Sequence, residues 1–322
     1  MSFALAITGP TASGKTALSL ALAEHLGCEI ISIDSMQIYK YMDIGTAKAT
    51  KEEQARVRHH MIDFLSPTES YSAEDYRADA MVALRDIESR GRLPLFVGGT
   101  GLYMDTVIRG ASLASPPSSD ELKARLLESA VTDEEREALW QRLKKIDPES
   151  AEKTHKNNVR RVVRALEIYE LTGKTKTYFD ELSRSISPEV TVGMITLDVH
   201  NRDNLYSRVD LRVDQMIKEG LLSEVKDLLE KGLLIENTTA SQAIGYKELI
   251  EYIEGRCTLE EAVDQLKLST RRYAKRQLTW FRHNEVAKRL FIDREDGVMK
   301  DKDELIRELF ELADELINEL KK

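Results

Sequence analysis

The chain is 322 residues long, 42% hydrophobic and 32% charged, with a formal net charge of −9. That length fits roughly two domains and buries a core without staples, and the composition excludes both a disordered polyampholyte and a membrane protein. Two cysteines, Cys28 and Cys257, exclude a disulfide framework or a cysteine-rich zinc site, and the acidic balance taken alone argues mildly against nucleic acid.

Phe3–Ile7 reads as a buried strand running into a glycine turn, with no signal-peptide pattern around it, so a cytoplasmic protein with reduced thiols is expected. Directly after it, Gly9-Pro10-Thr11-Ala12-Ser13-Gly14-Lys15-Thr16 fits G-x-x-x-x-G-K-[ST], and Lys15–Leu26 reads as the helix this motif requires. The glycines let main-chain N–H groups line a polyphosphate, and the helix terminus adds positive potential. Lys15 would bridge phosphate oxygens, and the Thr16 hydroxyl would ligate Mg²⁺. A second strand, Glu29–Ile33, closes on Asp34, which either caps the following turn or acts in the site. His59 and His60 are adjacent, cannot share a helix face, and are read as structural.

Ala73–Ser89 reads as a helix and Leu93–Val97 as a third strand, ending in Gly98-Gly99-Thr100-Gly101. A phosphotransferase usually places a second acidic residue after such a strand to hold Mg²⁺. Here a loop stands in its place that another backbone can approach closely. Alternating strand and helix predict an α/β, doubly wound parallel sheet of P-loop type. The alternation stops at the proline- and serine-rich Ser112–Ser119, read as a linker. Asp120 to about Ser187 reads as helix throughout, and Val190–Leu197 resumes the sheet. The expected organisation is a catalytic core of residues 1–114 and 188–322 carrying an inserted all-helical domain at 115–187.

Past Arg202 the chain reads as helical, apart from a strand-like Arg289–Ile292, and it ends in an amphipathic packing helix, Asp303–Lys321. Charge is unevenly spread. Lys267–Arg289 holds eight basic residues and a single acid, Glu285, and Lys153–Lys176 holds seven bases and two acids. Asp293–Lys322 holds eleven acids and six bases, so the excess acid is partly a property of the tail. The two basic stretches are candidate phosphate contacts. Tyr273 and Trp280 sit within the later one and are read as core.

Several ordered motifs carry a resemblance. They are Gly9–Thr16, Asp34-Ser35-Met36-Gln37-Ile38-Tyr39, Asp43-Ile44-Gly45-Thr46-Ala47-Lys48, His59–Asp63, Tyr71–Tyr76 and Val97–Tyr103. Farther on come Arg160–Glu167, Gln242-Ala243-Ile244-Gly245-Tyr246-Lys247 and Lys275–Trp280. The sequence resembles the bacterial tRNA dimethylallyltransferases over nearly its whole length, to about Arg282. The resemblance implies transfer of a dimethylallyl group from dimethylallyl diphosphate to the exocyclic amine of an adenosine. That adenosine lies immediately 3′ of the anticodon, in tRNAs reading codons that begin with U.

It further implies that Asp34 is the general base and that Thr100 lies near the reacting atoms. Gly9, Thr11, Ala12, Ser13, Gly14, Lys15 and Thr16 would hold the diphosphate with Mg²⁺, together with Arg208 and Arg212, four apart on one helix face. Which of the two arginines touches diphosphate is left open. Contacts to tRNA are implied for Asp34, Ser35, Met36, Gln37, Arg160, Arg161, Arg164, Gln242, Gly245, Tyr246, Lys247 and Arg276. The insertion would grip the anticodon stem-loop. One departure is His155-Lys156-Asn157-Asn158 where the family carries His-Pro-Asn-Asp, which leaves the role of Asn158 open. The protein is expected to work as a monomer, away from membranes. The alternatives are an isopentenyltransferase acting on free adenosine nucleotides, a P-loop small-molecule kinase, and an RNA-binding module without catalysis.

Overall fold

In the computed structural model, which describes residues 2–109, 116–185, 187–236, 238–284 and 287–320, alternation along the first strand divides the core in two. Leu5 and Ile7 of β1 (Ser2–Thr8) pack on one face, and Ala4 and Ala6 on the other, all buried. The period-2 rule repeats in β2 (Glu29–Ile33), where Ile30 faces one core and Ile31 and Ile33 the other. With β3 (His59–His60), β4 (Pro94–Gly98), β5 (Val190–Asp198) and β6 (Lys288–Phe291) they form one sheet, ordered β3-β2-β4-β1-β5-β6. Every pairing is parallel. The strands read as continuous apolar runs because both faces are covered. Pro94 is tolerated inside the sheet because it is the first residue of its strand. The two-residue β3 was not expected as a strand; it is too short to show a pattern.

One face carries α1 (Lys15–Leu26), stopped by left-handed Gly27, and the other carries α3 (Ala73–Ser89), entered through a Ser72–Asp75 capping box. The short α2 (Lys51–Arg56) and α4 (Gly101–Arg109) complete the first half. After β5 come α10 (Arg202–Glu219), α11 (Leu221–Glu230), α12 (Tyr246–Ile253), α13 (Leu259–Arg282) and α14 (Lys302–Leu320). The region past Arg202 was read as helical, but between α11 and α12 it is a run of turns.

Two compact units result: residues 1–108 with 189–322, and residues 109–188. The second holds α5 (Asp120–Glu128), α6 (Asp133–Ile146), α7 (Pro148–Glu152), α8 (Val159–Thr172) and α9 (Lys176–Ser185) around Leu126, Leu139, Leu143, Val162 and Leu166. Residues 112–115 of the expected linker lie outside the described residues. Residues 116–119 are fixed to α8 rather than behaving as a linker. Glu167, fully buried, accepts from Ser118 Oγ (2.9 Å) and Ser119 N (2.6 Å), and Arg164 donates to the carbonyls of Pro116 and Pro117, each at 2.9 Å.

Candidate active site

Parallel strands deliver their carboxyl ends to one edge of the sheet, where ligands of such folds bind. Three loops meet there: residues 9–16 after β1, Asp34–Gln37 after β2, and Gly99–Thr100 after β4. The first has the turned-in geometry its glycines allow, with Gly9 at φ +141°, Ala12 at +62° and Gly14 at +95°. A Cβ on Gly9 would meet Leu197 O at 2.8 Å, so glycine is required there by contact as well as by φ. Ser13 is buried and donates Oγ to Pro10 O at 2.8 Å, while Lys15 Nζ donates to Gly9 O at 3.0 Å and Pro10 O at 2.7 Å. Arg208 Nε donates to Ala12 O at 2.8 Å, so this arginine props the loop from outside.

Asp34 and Lys15 are electrostatic partners in this site, with Arg212 acting on both. Withdrawal from water, and then the Arg212 charge, bring the Lys15 ammonium down to about 7, against the raising influence of Asp34. Burial pushes the Asp34 carboxyl above its ordinary value, opposed by hydrogen bonds from Met36 N (2.8 Å) and Gln37 N (3.3 Å) and by the two cationic neighbours. Asp34 therefore caps the turn, as one sequence reading expected, and stands beside Lys15 and Arg212 at the sheet edge. Thr100 Oγ1 accepts from Ser35 N at 3.2 Å, tying the second and third loops together.

The glycines of the third loop admit the close backbone approach expected from the sequence and, beyond it, two side chains. A Cβ on Gly98 would lie 2.2 Å from Ile33 O, one on Gly99 2.1 Å from Gln277 Nε2, and one on Gly101 2.2 Å from Trp280 Nε1. They admit β2 and helix α13. Gln277 is buried and bridges two loops: its Oε1 accepts from Thr11 N at 2.8 Å, and its Nε2 donates to Gly99 O at 3.0 Å. Tyr273, one turn earlier, places its hydroxyl beside Thr100 and Gln277, and burial pushes that phenol up to about 12. Both residues bear on the site, yet neither was chosen from sequence. The available signal was a polar side chain in the buried stripe Ala274, Gln277, Leu278, Phe281 of α13. Trp280, read as core, is 41% exposed. Gly98→Ala is expected to cost about 1–3 kcal/mol, the scale of overpacking against a backbone that cannot move aside. Its check is the midpoint of urea unfolding; an unchanged midpoint would mean that the ends of β2 and β4 can part.

The remaining candidates divide by what their side chains already do. Thr11's amide is engaged by Gln277. Gln37 lies in the expected place, but Nε2 donates to Thr46 O and Ala47 O, both at 3.2 Å, and Oε1 accepts from Ser32 Oγ at 3.0 Å. Tyr246 is fully buried with its hydroxyl on Glu224, so its side chain has no surface to offer RNA. Arg164 is spent on Glu167 and on the two proline carbonyls. The side chains of Gln37, Tyr246 and Arg164 thus carry intramolecular bonds in this structure. Ser35 and Met36 are half-buried beside Asp34, Gly245 is buried at φ +98°, Gln242 is exposed and Lys247 half-exposed. Arg276 is exposed, its guanidinium 5.6 Å above the Tyr273 ring. In the other unit, Arg160 and Arg161 are exposed at the start of α8, and Asn158 stands at its N-cap.

Ion pairs also thin the late basic stretch. Lys267 pairs with Asp214 (2.6 Å), Arg271 with Asp210 (3.3 Å), Arg282 with Asp198 (2.5 Å) and Lys288 with Glu315 and Glu319 (2.8 Å each). Arg272, Lys275 and Arg276 form its exposed part on α13, while Glu285 lies outside the described residues. The two histidines take structural roles: His60 Nε2 is 2.7 Å from Glu29, and His59 Nδ1 is 2.7 Å from Val57 O. Thr16 is exposed on the first turn of α1. Among the described residues no group of three or more His, Cys, Asp or Glu side chains could hold a metal ion. One hydroxyl completed by substrate phosphates and water is a set that Mg²⁺ accepts, so the residues fit that ion. No helix among the described residues is long and apolar enough to cross a membrane.

A parallel sheet with a glycine-rich phosphate loop after its central strand defines an α/β protein of the P-loop class. The family model for IPP transferase matches residues 37–284. A tRNA dimethylallyltransferase of Anoxybacillus flavithermus is 50% identical over 278 residues, 86% of this chain and 86% of that protein. One from a Thermoanaerobacter species is 46% identical, covering 89% and 91%. Among solved structures, the full-length tRNA isopentenylpyrophosphate transferase of Bacillus halodurans superposes with a TM-score of 0.72 at 42% identity, covering 99% of this chain and 98% of that one. A eukaryotic dimethylallyltransferase acting on tRNA gives 0.74 at 31% identity, covering 90% and 74%. The chain belongs to the IPP transferase family.

Proposed function

We propose that this chain is a tRNA dimethylallyltransferase that uses dimethylallyl diphosphate. Its target is the N6 amine of the adenosine immediately 3′ of the anticodon, in tRNAs reading codons that begin with U. The observation that carries this reading is the meeting of the phosphate loop, the Asp34 carboxylate and Thr100 at one edge of the sheet, in a chain of this family. The amine attacks C1 of the dimethylallyl group as the bond from C1 to the diphosphate oxygen breaks. The nitrogen then gives up a proton to Asp34. An allylic diphosphate ionises readily, so the protein's task is to stabilise the departing diphosphate and align the amine.

Arg212 supplies fixed positive charge, Lys15 gains its full charge beside a bound diphosphate, and Arg208 keeps the loop in shape. Thr16 would hold Mg²⁺, which neutralises diphosphate charge when bound. The target base must leave its stack to reach such a site, as single-stranded loops allow. Arg272, Lys275 and Arg276 on α13, and Arg160 and Arg161 on the insertion, are exposed cations suited to tRNA phosphates, and those of the insertion would meet the anticodon stem-loop.

Incubation with Mg²⁺, dimethylallyl diphosphate and either unmodified tRNA or AMP tests the reading. Prenylated tRNA supports it. Prenylated AMP alone would transfer the activity to free nucleotides, and ATP turnover without prenylation would make the chain a kinase. Arg160→Ala with Arg161→Ala should weaken tRNA binding uniformly across substrate sequences. It should also reduce the slope of log K against log salt by about 2, roughly one unit per lost phosphate contact; an unchanged slope would remove these two residues from the interface.

A further inference from the structure

Glu224, on α11, is the point where two separate segments near the site are joined. Its carboxylate accepts three consecutive main-chain amides, from Asp43 (2.9 Å), Ile44 (2.7 Å) and Gly45 (3.1 Å), and the Tyr246 hydroxyl at 2.6 Å. Successive N–H groups converging on one anion make a nest, and charge makes each of these bonds stronger than a neutral one. The Tyr246 ring completes the joint. A Cβ on Gly45 would lie 2.5 to 2.7 Å from its atoms, so glycine is what lets the ring press on the chain.

The same loop is held from its other end. The Lys48 side chain is 2% exposed; its ammonium donates to Tyr39 O at 2.7 Å and pairs with Asp43 at 2.6 Å and Asp63 at 3.0 Å. All three ammonium hydrogens thus have an acceptor. Several residues around this clamp sit at positive φ without being glycine, namely Tyr41, Ala47, Met61 and Asp63. Such backbone persists only where surrounding contacts over-determine it.

What the loop carries gives the clamp its purpose. The carbonyls of Thr46 and Ala47 take both hydrogens of the Gln37 carboxamide, whose own main-chain N–H donates to Asp34 Oδ1. A continuous path of hydrogen bonds therefore runs from Glu224 through residues 43–48 and Gln37 to Asp34. We propose that Glu224 is a positioning residue for prenyl transfer: it sets residues 43–48 and, through Gln37, the placement of the Asp34 carboxylate. The proposal rests on the transferase reading for its consequence in rate, but not for its consequence in structure.

Glu224→Gln keeps the shape and replaces an all-acceptor group by one that presents two hydrogens to the amides. With saturating tRNA and dimethylallyl diphosphate, the single-turnover rate should fall about 10- to 100-fold, the scale at which remote changes misplace reacting groups. The dissociation constant for inorganic diphosphate should stay within about twofold, because Gln277 and Arg208 hold residues 9–16 independently. Hydrogen exchange of the amides of residues 37 and 43–45 should quicken in the free protein, with the rest of the chain unchanged. Glu224→Asp should recover part of the rate. Three outcomes would overturn the proposal: a wild-type rate in Glu224→Gln, unaltered exchange at those amides, or exchange that quickens throughout the molecule. If the wild-type protein prenylates no tRNA, the transferase reading falls, while local exchange at residue 37 still decides the path.

Discussion

Asp34→Ala is expected to lower the single-turnover rate of dimethylallyl transfer to tRNA by at least about 100-fold, the usual scale for loss of a general base. Beside Asp34, Arg212 is a cation, the Lys15 amine belongs to the phosphate loop, and the phenols of Tyr76, Tyr103 and Tyr273 are all pushed upward by burial. Asp34→Asn separates two contributions. Its side-chain oxygen still accepts from Met36 and Gln37 and so preserves the turn, but it takes no proton. A fall of similar size in both variants assigns the effect to proton transfer, whereas an active asparagine variant would reduce Asp34 to a cap.

The same geometry sets the pH response. Burial raises the Asp34 pKa, so its basic form is lost as pH falls through a value above the usual carboxylate range. The acid limb of the single-turnover rate should therefore lie above that of an exposed aspartate and vanish in Asp34→Asn. A limb at the ordinary position would mean that another group takes the proton.

Lys15→Ala should cost about 100- to 1000-fold in the same rate, comparable to removing a preorganised donor to developing negative charge. The loss is electrostatic, and it is joined by loss of the bonds from Lys15 Nζ to Gly9 O and Pro10 O. The ammonium would meet charge on the ligand, and burial, followed by the Arg212 charge, leaves it partly deprotonated near neutrality, at about 7. An incoming diphosphate reverses that balance, because an adjacent anion favours the charged ammonium. Calorimetry of diphosphate binding at pH 8 in two buffers of different ionisation heat should register proton uptake. That uptake should disappear in Lys15→Ala; its persistence would locate the proton elsewhere.

The parts of this site that could be read from sequence are those made by neighbours in the chain. The phosphate loop is one, since its spacing, preceding strand and following helix lie within residues 2–26. Asp34 at the end of β2 is another. What could not be read is contact between distant segments. Gly98, Gly99 and Gly101 read as a loop that another backbone can approach closely, as the Ile33 carbonyl does, but the room taken by the Gln277 and Trp280 side chains could not be seen. Gln37 and Tyr246 matched family positions, but their partners, the carbonyls of Thr46 and Ala47 and the carboxylate of Glu224, could not be read from the sequence. Counting charges by segment met the same limit. Lys288 looked available for RNA until α14 placed Glu315 and Glu319 against it, so part of the acidic tail neutralises part of the basic stretch.

The bond from Thr11 to Gln277 joins residues 266 positions apart. During synthesis the phosphate loop leaves the ribosome early, but the helix that secures it emerges only when most of the chain has been made. Strands β1, β2 and β4 can assemble among themselves, whereas β5 must wait for the whole insertion to be translated. The bond that braces the loop is thus acquired late. A truncated or stalled chain carries the recognisable motif without the Gln277 side chain that braces it.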